Sequence, residues 1–146
     1  MVVGKKGWLY EKIFQQVKDL DLQDDVIFTG FAPDQDIPAL YKASQAYVLP
    51  SLYEGFGIPV IEAQACGAQT VVSNVSSLPE IAGPASIYIE DPRSVKQIAE
   101  ALRTAFSMPK QERVRRKNLA KENVQRFSWY KAAKQTLDSL VKVVKS

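Results

Sequence analysis

Residues 46–63 read Ala-Tyr-Val-Leu-Pro-Ser-Leu-Tyr-Glu-Gly-Phe-Gly-Ile-Pro-Val-Ile-Glu-Ala, and this stretch decides the fold. Its first four residues have the aromatic and β-branched character of a strand, which Pro50 ends. A helix is predicted to begin at Ile58, so the residues between form a loop from strand to helix. In open parallel α/β sheets, loops at the carboxyl ends of the strands bind ligands. The stretch therefore predicts a ligand-binding loop.

The glycines and the proline of this loop favour contact between backbone amide groups and a ligand. Gly55 and Gly57 carry no side chain, so a ligand can approach the backbone closely. Pro59 suits the first helical position, where its missing N–H costs no hydrogen bond. The amide groups of Gly57, Ile58 and Val60 would then face an anion or hydroxyl groups at the positive end of the helix.

Two carboxylates flank the glycines. Glu54 lies in the loop and Glu62 lies about one turn into the helix, so both side chains can reach one pocket. A carboxylate repels a diphosphate but accepts hydrogen bonds from the hydroxyl groups of a sugar. The loop therefore predicts a ligand that carries both hydroxyl groups and phosphate. Taken singly, the same residues also fit a structural role, in which Glu62 favours the helix dipole and the glycines form a turn.

Strand and helix patterns alternate on both sides of the loop, which is typical of an α/β, Rossmann-like parallel sheet flanked by helices. The predicted strands are residues 2–3, 26–28, 46–49, 70–73 and 87–89. Helices are predicted over residues 8–20, 36–43, from 58 to near Gly67, from the capping residue Ser94 through Phe106, and after the capping residue Ser128. A length of 146 residues suits one domain, so we expect a single domain over 1–146 whose first strand lacks its beginning.

The C-terminal helix carries an apolar stripe that we expect to cover the core, with docking on another surface as the alternative. The stripe consists of Trp129, Ala132, Ala133, Leu137, Leu140, Val141 and Val144. A basic segment, residues 110–117, precedes it. We expect that segment to form a solvated helix face, and peripheral contact with anionic lipid head groups is the alternative.

Composition narrows the chemistry that the chain can perform. It contains no histidine, which excludes histidine general bases, nucleophile–histidine pairs and histidine metal ligands. Cys66 is the single cysteine, so no internal disulfide can form and we expect a reducing, cytoplasmic compartment. A net charge of +3 does not indicate nucleic acid as a partner. No uncharged stretch is long enough to cross a membrane.

With seven residues between Glu54 and Glu62, the loop resembles the donor-binding motif of the retaining GT-B glycosyltransferases called glycosyl transferases group 1. The likeness extends over nearly the whole chain, through Val26-Ile-Phe-Thr-Gly-Phe31, Leu40-Tyr41, Ser73-Asn-Val-Ser-Ser-Leu-Pro-Glu80, Asp91-Pro92 and Phe127-Ser-Trp129. The chain is therefore similar to the C-terminal, nucleotide-sugar domain of that family, which is the C-terminal half of the GT-B fold.

This resemblance implies a role for each residue of the loop. Glu54 would be the catalytic residue that approaches the transferred sugar, and Glu62 would hold the ribose diol of the nucleotide. Backbone groups for the sugar hydroxyls and the phosphate would come from Gly55, Phe56, Gly57 and Ile58. The loop at Gly30 and Phe31 would border the nucleobase.

The family transfers a sugar from a nucleotide diphosphate donor with retention of configuration, generally without a bound metal. The resemblance thus implies a hexosyltransferase that uses a UDP- or GDP-linked sugar and a glycan or lipid-linked acceptor in polysaccharide or glycoconjugate synthesis, with no covalently bound cofactor.

From the resemblance we expect two family elements to lie outside this sequence: the N-terminal acceptor domain and an Arg and Lys pair that grips the diphosphate. Lys5 and Lys6 lie near the correct sheet edge, but we expect them to be exposed turn residues. By itself the chain is expected to bind a nucleotide weakly and to lack transferase activity.

Two functions of other classes fit parts of the sequence. A dinucleotide-binding domain of an oxidoreductase shares the α/β alternation, but the Gly-x-Gly-x-x-Gly spacing after a first strand is lacking. A non-catalytic interaction module would use the terminal apolar helix.

The base and the sugar of the donor stay open at this point, because they depend on loop geometry and on a few hydroxyl contacts.

Overall fold

The computed structural model describes residues 1–5, 7 and 10–145, and the chain divides into two compact units, Met1–Ile37 and Pro38–Ser146. That they form one domain stays a prediction. The first unit contains strand β1 (Val2–Val3), helix α1 (Glu11–Asp19) and strand β2 (Phe28–Gly30), and the two strands pair in parallel. Lys6 and the start of the predicted first helix, Trp8 and Leu9, lie outside the described residues.

Helix α1 contacts its unit through only part of its apolar face. The sequence places Ile13, Val17 and Leu20 on one face of this helix, but Ile13 and Leu20 are 53% and 65% exposed and only Val17 is half-buried. The ring of Phe14 instead stacks on that of Phe28, with the ring centroids 4.3 Å apart. An aromatic pair of this kind buries more surface than an aliphatic side chain at the same position, so it fixes the rotation of the helix.

The second unit contains the sheet that positions the predicted loop. Its elements are α2 (Ile37–Ala43, which begins at the unit boundary), β3 (Tyr47–Leu49), α3 (Ile58–Ala65), β4 (Thr70–Ser73), α4 (Leu78–Ala82), a short 3-10 helix (Gly83–Ala85), β5 (Ile87–Ile89), α5 (Val95–Phe106), α6 (Lys110–Val124) and α7 (Trp129–Lys145). Strand β4 lies between β3 and β5, and both pairings are parallel. The parallel α/β fold is thereby confirmed.

The core of this unit lies on both faces of β4. Val71 packs with Ile87 and with Ala101 of α5, whereas Val72 packs with Val60 of α3 on the opposite face. Successive strand residues point to opposite faces, so a buried Val-Val pair requires a layer of helices on each side. The unit is therefore a three-layer structure with β4 at its centre.

A buried hydrogen-bond network ties α3 and α6 to the segment before β5. The Gln64 amide donates to the carbonyl of Ala82 at 2.7 Å and accepts from the Asn123 amide at 2.8 Å. Asn123 also donates to the carbonyl of Ile81 at 2.8 Å. Both amide side chains are almost fully buried, and their hydrogen bonds offset the cost of removing them from water.

The last helix does not cover the core as expected. Trp129 and Val144, at the two ends of its apolar stripe, are 82% and 86% exposed, and Leu137 and Leu140 between them are exposed as well. The prediction is wrong on this point because periodicity gives the apolar face of a helix but not the surface that it meets. Among the described residues, no helix is both long enough and apolar enough to cross a membrane.

Candidate functional site

The loop between β3 and α3 is fixed to the turn that follows β4. The amide of Glu54 donates to Ser76 Oγ at 3.0 Å, and Ser77 Oγ donates to the carbonyls of Glu54 at 2.9 Å and Phe56 at 3.0 Å. Because β3 and β4 are parallel, both segments lie at the carboxyl edge of the sheet. The loop thus occupies the edge predicted from the sequence, and two serines with no role assigned from the sequence hold it there.

The two glycines of the loop differ in what they require. Gly57 has φ +104°, and a Cβ there would lie 2.9 Å from Cδ2 of the fully buried Leu78. Gly55 has no positive φ, and a Cβ there would meet no atom within 4 Å. Gly57 is therefore needed for the fold of the loop, whereas the space beside Gly55 is open to a ligand.

Helix α3 begins at Ile58, as predicted. Pro59 therefore takes the second helical position rather than the first, and its missing N–H is equally harmless there. The amide of Val60 donates to the carbonyl of Gly57 at 2.9 Å, so the expectation that it faces a ligand is wrong. The first helical turn uses this amide because the carbonyl of Gly57, the residue just before the helix, points along the helix axis.

Four consecutive amide groups at this helix start have no acceptor among the described residues. They belong to Gly55, Phe56, Gly57 and Ile58. No side chain caps α3, so the positive end of its dipole is not compensated by a described side chain. Free amide groups at a helix N-terminus are suited to a phosphate or to hydroxyl oxygens.

The predicted carboxylates, Glu54 and Glu62, come before and after these amide groups in the chain. Glu54 is half-buried, and Ser51 Oγ donates to its Oε1 at 2.7 Å, which orients the carboxylate. Glu62 is exposed, and the hydroxyl of Tyr41 donates to its Oε2 at 3.4 Å. Each carboxylate keeps an oxygen that the described side chains leave open to a ligand.

A pair of tyrosines shows that the two carboxylates act on one region. The rings of Tyr41 and Tyr47 meet edge to face, with their centroids 5.2 Å apart. Burial raises the pKa of Tyr47, and the negative charges of Tyr41, Glu54 and Glu62 raise it further. Burial, followed by the charge and hydrogen bond of Glu62, raises the pKa of Tyr41 to about 12. Both acids therefore act on the same phenol.

No role was predicted for these tyrosines or the two serines, although Tyr41, Ser76 and Ser77 lie in segments that carry the likeness to the family. Ser76 and Ser77 could have been found, since they follow a predicted strand of the same parallel sheet and so share its carboxyl edge. Tyr41 lies on a helix, and nothing in its spacing from Glu62 reveals their contact.

Gly30 and Phe31 belong to the first unit. Gly30 ends β2 with φ +67°, and its carbonyl accepts a hydrogen bond from the amide of Gly4 at 2.9 Å. Phe31 is exposed, and Lys5 Nζ lies 5.3 Å from the centre of its ring, within the range of a cation–π contact. Their role beside a nucleobase stays a prediction.

Within the part of the chain that the structure describes, no three acidic, cysteine or histidine side chains form a group that could hold a metal ion.

A parallel sheet between helices, with free amides and two acids in segments at its carboxyl edge, defines a Rossmann-like α/β fold. The glycosyl transferases group 1 model matches residues 1–123, and the chain belongs to that family. This assignment gives no support to the oxidoreductase or to the interaction module.

Individual relatives agree with the family. The O-antigen chain mannosyltransferase B of Escherichia coli is 36% identical over 137 residues, which are 93% of this chain and 35% of that protein. The structure of sucrose-phosphate synthase from Thermosynechococcus elongatus is 27% identical, with a TM-score of 0.86 over 98% of this chain and 38% of that one. The structure of HepE of Anabaena in complex with UDP-glucose is 23% identical, with a TM-score of 0.84 over 96% of this chain and 40% of that one. The fold is thus that of GT-B glycosyltransferases, and this chain spans little more than a third of each relative.

Proposed function

We propose that this chain is the donor-binding half of a retaining glycosyltransferase that moves a hexose from a UDP- or GDP-sugar to a glycan or lipid-linked acceptor. The observation that carries the proposal is the run of free amide groups from Gly55 to Ile58, with Glu54 before it and Glu62 after it. A nucleotide sugar has an anionic diphosphate between two sets of hydroxyl groups, so it matches this order of donors and acceptors.

Each group of the site has a task in this proposal. The amide groups of the loop donate to the diphosphate and stabilise the charge that grows on it as the sugar leaves. Glu62 accepts hydrogen bonds from the ribose diol, and Tyr41 holds one of its oxygens in place. Glu54 lies next to the transferred sugar, where its negative charge favours the positive charge that develops at the anomeric carbon. Ser51 keeps that carboxylate oriented.

The relatives favour particular donors for a first test. One relative is named a mannosyltransferase and one solved structure holds UDP-glucose, so mannosyl and glucosyl donors come first. The acceptor would be bound by an N-terminal GT-B domain, a partner suggested by the share of each relative that this chain spans. A cytoplasmic location is also proposed, in keeping with the single free thiol of Cys66, and peripheral contact with the membrane face is part of that proposal.

Calorimetric titration of the chain with GDP, UDP, ADP and NAD tests the proposal. We expect one diphosphate nucleotide to bind selectively, and the Glu62→Gln variant to weaken it about tenfold to hundredfold, because a hydrogen bond to a charged group contributes about 1.5–3 kcal/mol. Glu100→Gln, which removes an exposed carboxylate from α5, is the matched control and should bind as the parent chain does. Binding of NAD alone, or equal affinity for both variants, would contradict the proposal.

A further inference from the structure

A cavity lies at the opposite edge of the sheet from the loop. It has a volume of about 160 Å³ and is lined by the segments that precede β3, β4 and β5 and by one face of α6. Since the strands are parallel, these segments all lie at the amino edge. A cavity needs only about 10–15 Å³ to hold a water molecule, so this one has room for a polyatomic ion.

All the charged side chains that line this cavity are positive. Arg113, Arg116 and Lys117 line it, and no carboxylate does. Glu112 pairs with Arg116 at 2.8 Å and with Arg115 at 2.7 Å, so its negative charge is already shared. No carboxylate among the described residues pairs with Arg113 or Lys117. The cavity therefore holds two positive charges that the described part of the chain does not compensate.

The cations are held in place before any ion arrives. Arg116, with its side chain 22% exposed, donates to Glu112 and to the carbonyl of Ser86 at 3.0 Å, while its Nη2 has no acceptor among the described residues. Arg113 donates through Nη2 to the carbonyl of Ala105 at 3.1 Å and has no other described acceptor. A guanidinium has five N–H donors. Arg116 also donates through Nη1 to the carbonyl of Ala85 at 3.4 Å, so the two donors of its Nη2 remain for an anion, and Arg113 keeps four.

The end of α3 makes room for the third cation. Gly67 has φ +80° and closes the helix, with its amide donating to Gln64 and that of Ala68 donating to Ala63. A Cβ on Gly67 would lie 2.8 Å from Cε of Lys117. The absence of a side chain there lets the lysine lie across the helix end. Its ammonium group pairs with no carboxylate among the described residues.

We infer that this cavity binds a phosphate monoester or inorganic phosphate, the anion class that two guanidinium groups and one ammonium group recognise together. Among the neutral side chains of the lining, the Gln69 amide donates to the carbonyls of Thr70 and Ala85, whereas Gln45 has no described partner and can add a neutral donor. The charged free donors are all cationic. The inference is independent of the proposed function, because the cavity shares no residue with the loop at the carboxyl edge.

Titration with inorganic phosphate at constant ionic strength tests this inference. We expect the Arg113→Gln/Lys117→Gln variant to lose affinity about tenfold or more, as loss of two charge-assisted contacts implies. The Arg103→Gln/Lys121→Gln variant removes two exposed cations outside the cavity and should bind within about twofold of the parent. Lys117→Gln alone, at an exposed side chain, should fold normally and weaken binding by a smaller factor.

A second arm separates the sources of the phosphate group. Vesicles of phosphatidylcholine with phosphatidic acid present the same monoester on a lipid surface, and co-sedimentation measures binding to them. Binding to phosphate alone assigns a soluble ligand, and binding to the vesicles that is lost in Arg113→Gln/Lys117→Gln assigns a lipid head group. Absence of both, or equal losses in the cavity variant and the Arg103→Gln/Lys121→Gln control, would overturn the inference.

Discussion

Replacement of Gly57 by alanine should destabilise the chain far more than the same replacement at Gly55. At Gly57 the left-handed backbone costs a residue with a Cβ about 1–2 kcal/mol. The new methyl group also meets Leu78, which is fully buried and has no space to yield, and overpacking of this kind costs about 1–3 kcal/mol. The free energy of unfolding of the Gly57→Ala variant should therefore be lower than that of the parent by about 2–5 kcal/mol.

The matched variant, Gly55→Ala, places its methyl group in open space without a positive φ. It should leave stability within about 1 kcal/mol of the parent and on the stabilising side, because alanine restricts the unfolded chain. Urea unfolding followed by circular dichroism measures both. With a slope of about 2 kcal/mol per M, a loss of 3 kcal/mol lowers the midpoint by about 1.5 M. Equal midpoints for Gly57→Ala and Gly55→Ala would refute this account of the loop.

Three further predictions concern the rest of the second unit. Asn123→Ala should cost about 2–3 kcal/mol in urea unfolding, because buried partners lose their donor, while Asn118→Ala on the exposed face of α6 should cost under about 0.5 kcal/mol. Burial, and then the neighbouring carboxylate of Glu62, raise the pKa of Tyr41 from 10.0 to about 12. The stabilisation that comes from the neutral Tyr41 phenol is therefore complete below pH 10 and is lost as the pH rises to 12. The urea midpoint of the Tyr41→Phe variant should therefore fall less between pH 10 and pH 12 than that of the parent. An equal fall in both proteins would contradict the raised pKa of Tyr41. Leu140→Ser should change the midpoint little because the side chain is exposed, whereas Leu78→Ala should cost about 2–5 kcal/mol, and similar costs for the two would show that α7 is packed.

Local patterns predicted the elements well where the residues determine their own structure. The β-branched runs 70–73 and 87–89 are the strands β4 and β5, and Gly67 closes α3 as expected. Ser94 accepts from the amide of Gln97 at 3.3 Å, as a capping residue should. The side chain of Gln97, however, accepts from the amide of Asp91 rather than that of Ser94. Backbone preferences thus come from neighbouring residues, whereas the partner of a long side chain depends on where other segments lie.

Contacts between distant segments could not be predicted in this way. The glycines and both acids were found because they lie close together in the sequence, whereas Tyr41 lies 21 residues before Glu62 and the fold brings its hydroxyl within 3.4 Å of that carboxylate. In the same way, the sequence shows that residues 110–117 are basic but not that Arg113 and Lys117 share a cavity. The apolar stripe of α7 was identified correctly, while its expected burial was wrong.

The central claim is that the free amide groups of the loop bind the diphosphate of a nucleotide sugar. Titration of the ¹⁵N-labelled chain with GDP-mannose and with UDP-glucose, followed by amide chemical shifts, tests it most directly. We expect saturable shifts at Gly55, Phe56, Gly57 and Ile58 with at least one donor, and much weaker ones in the Glu62→Gln variant. Saturable shifts confined to other regions, with these four amides unmoved by either donor, would contradict the claim.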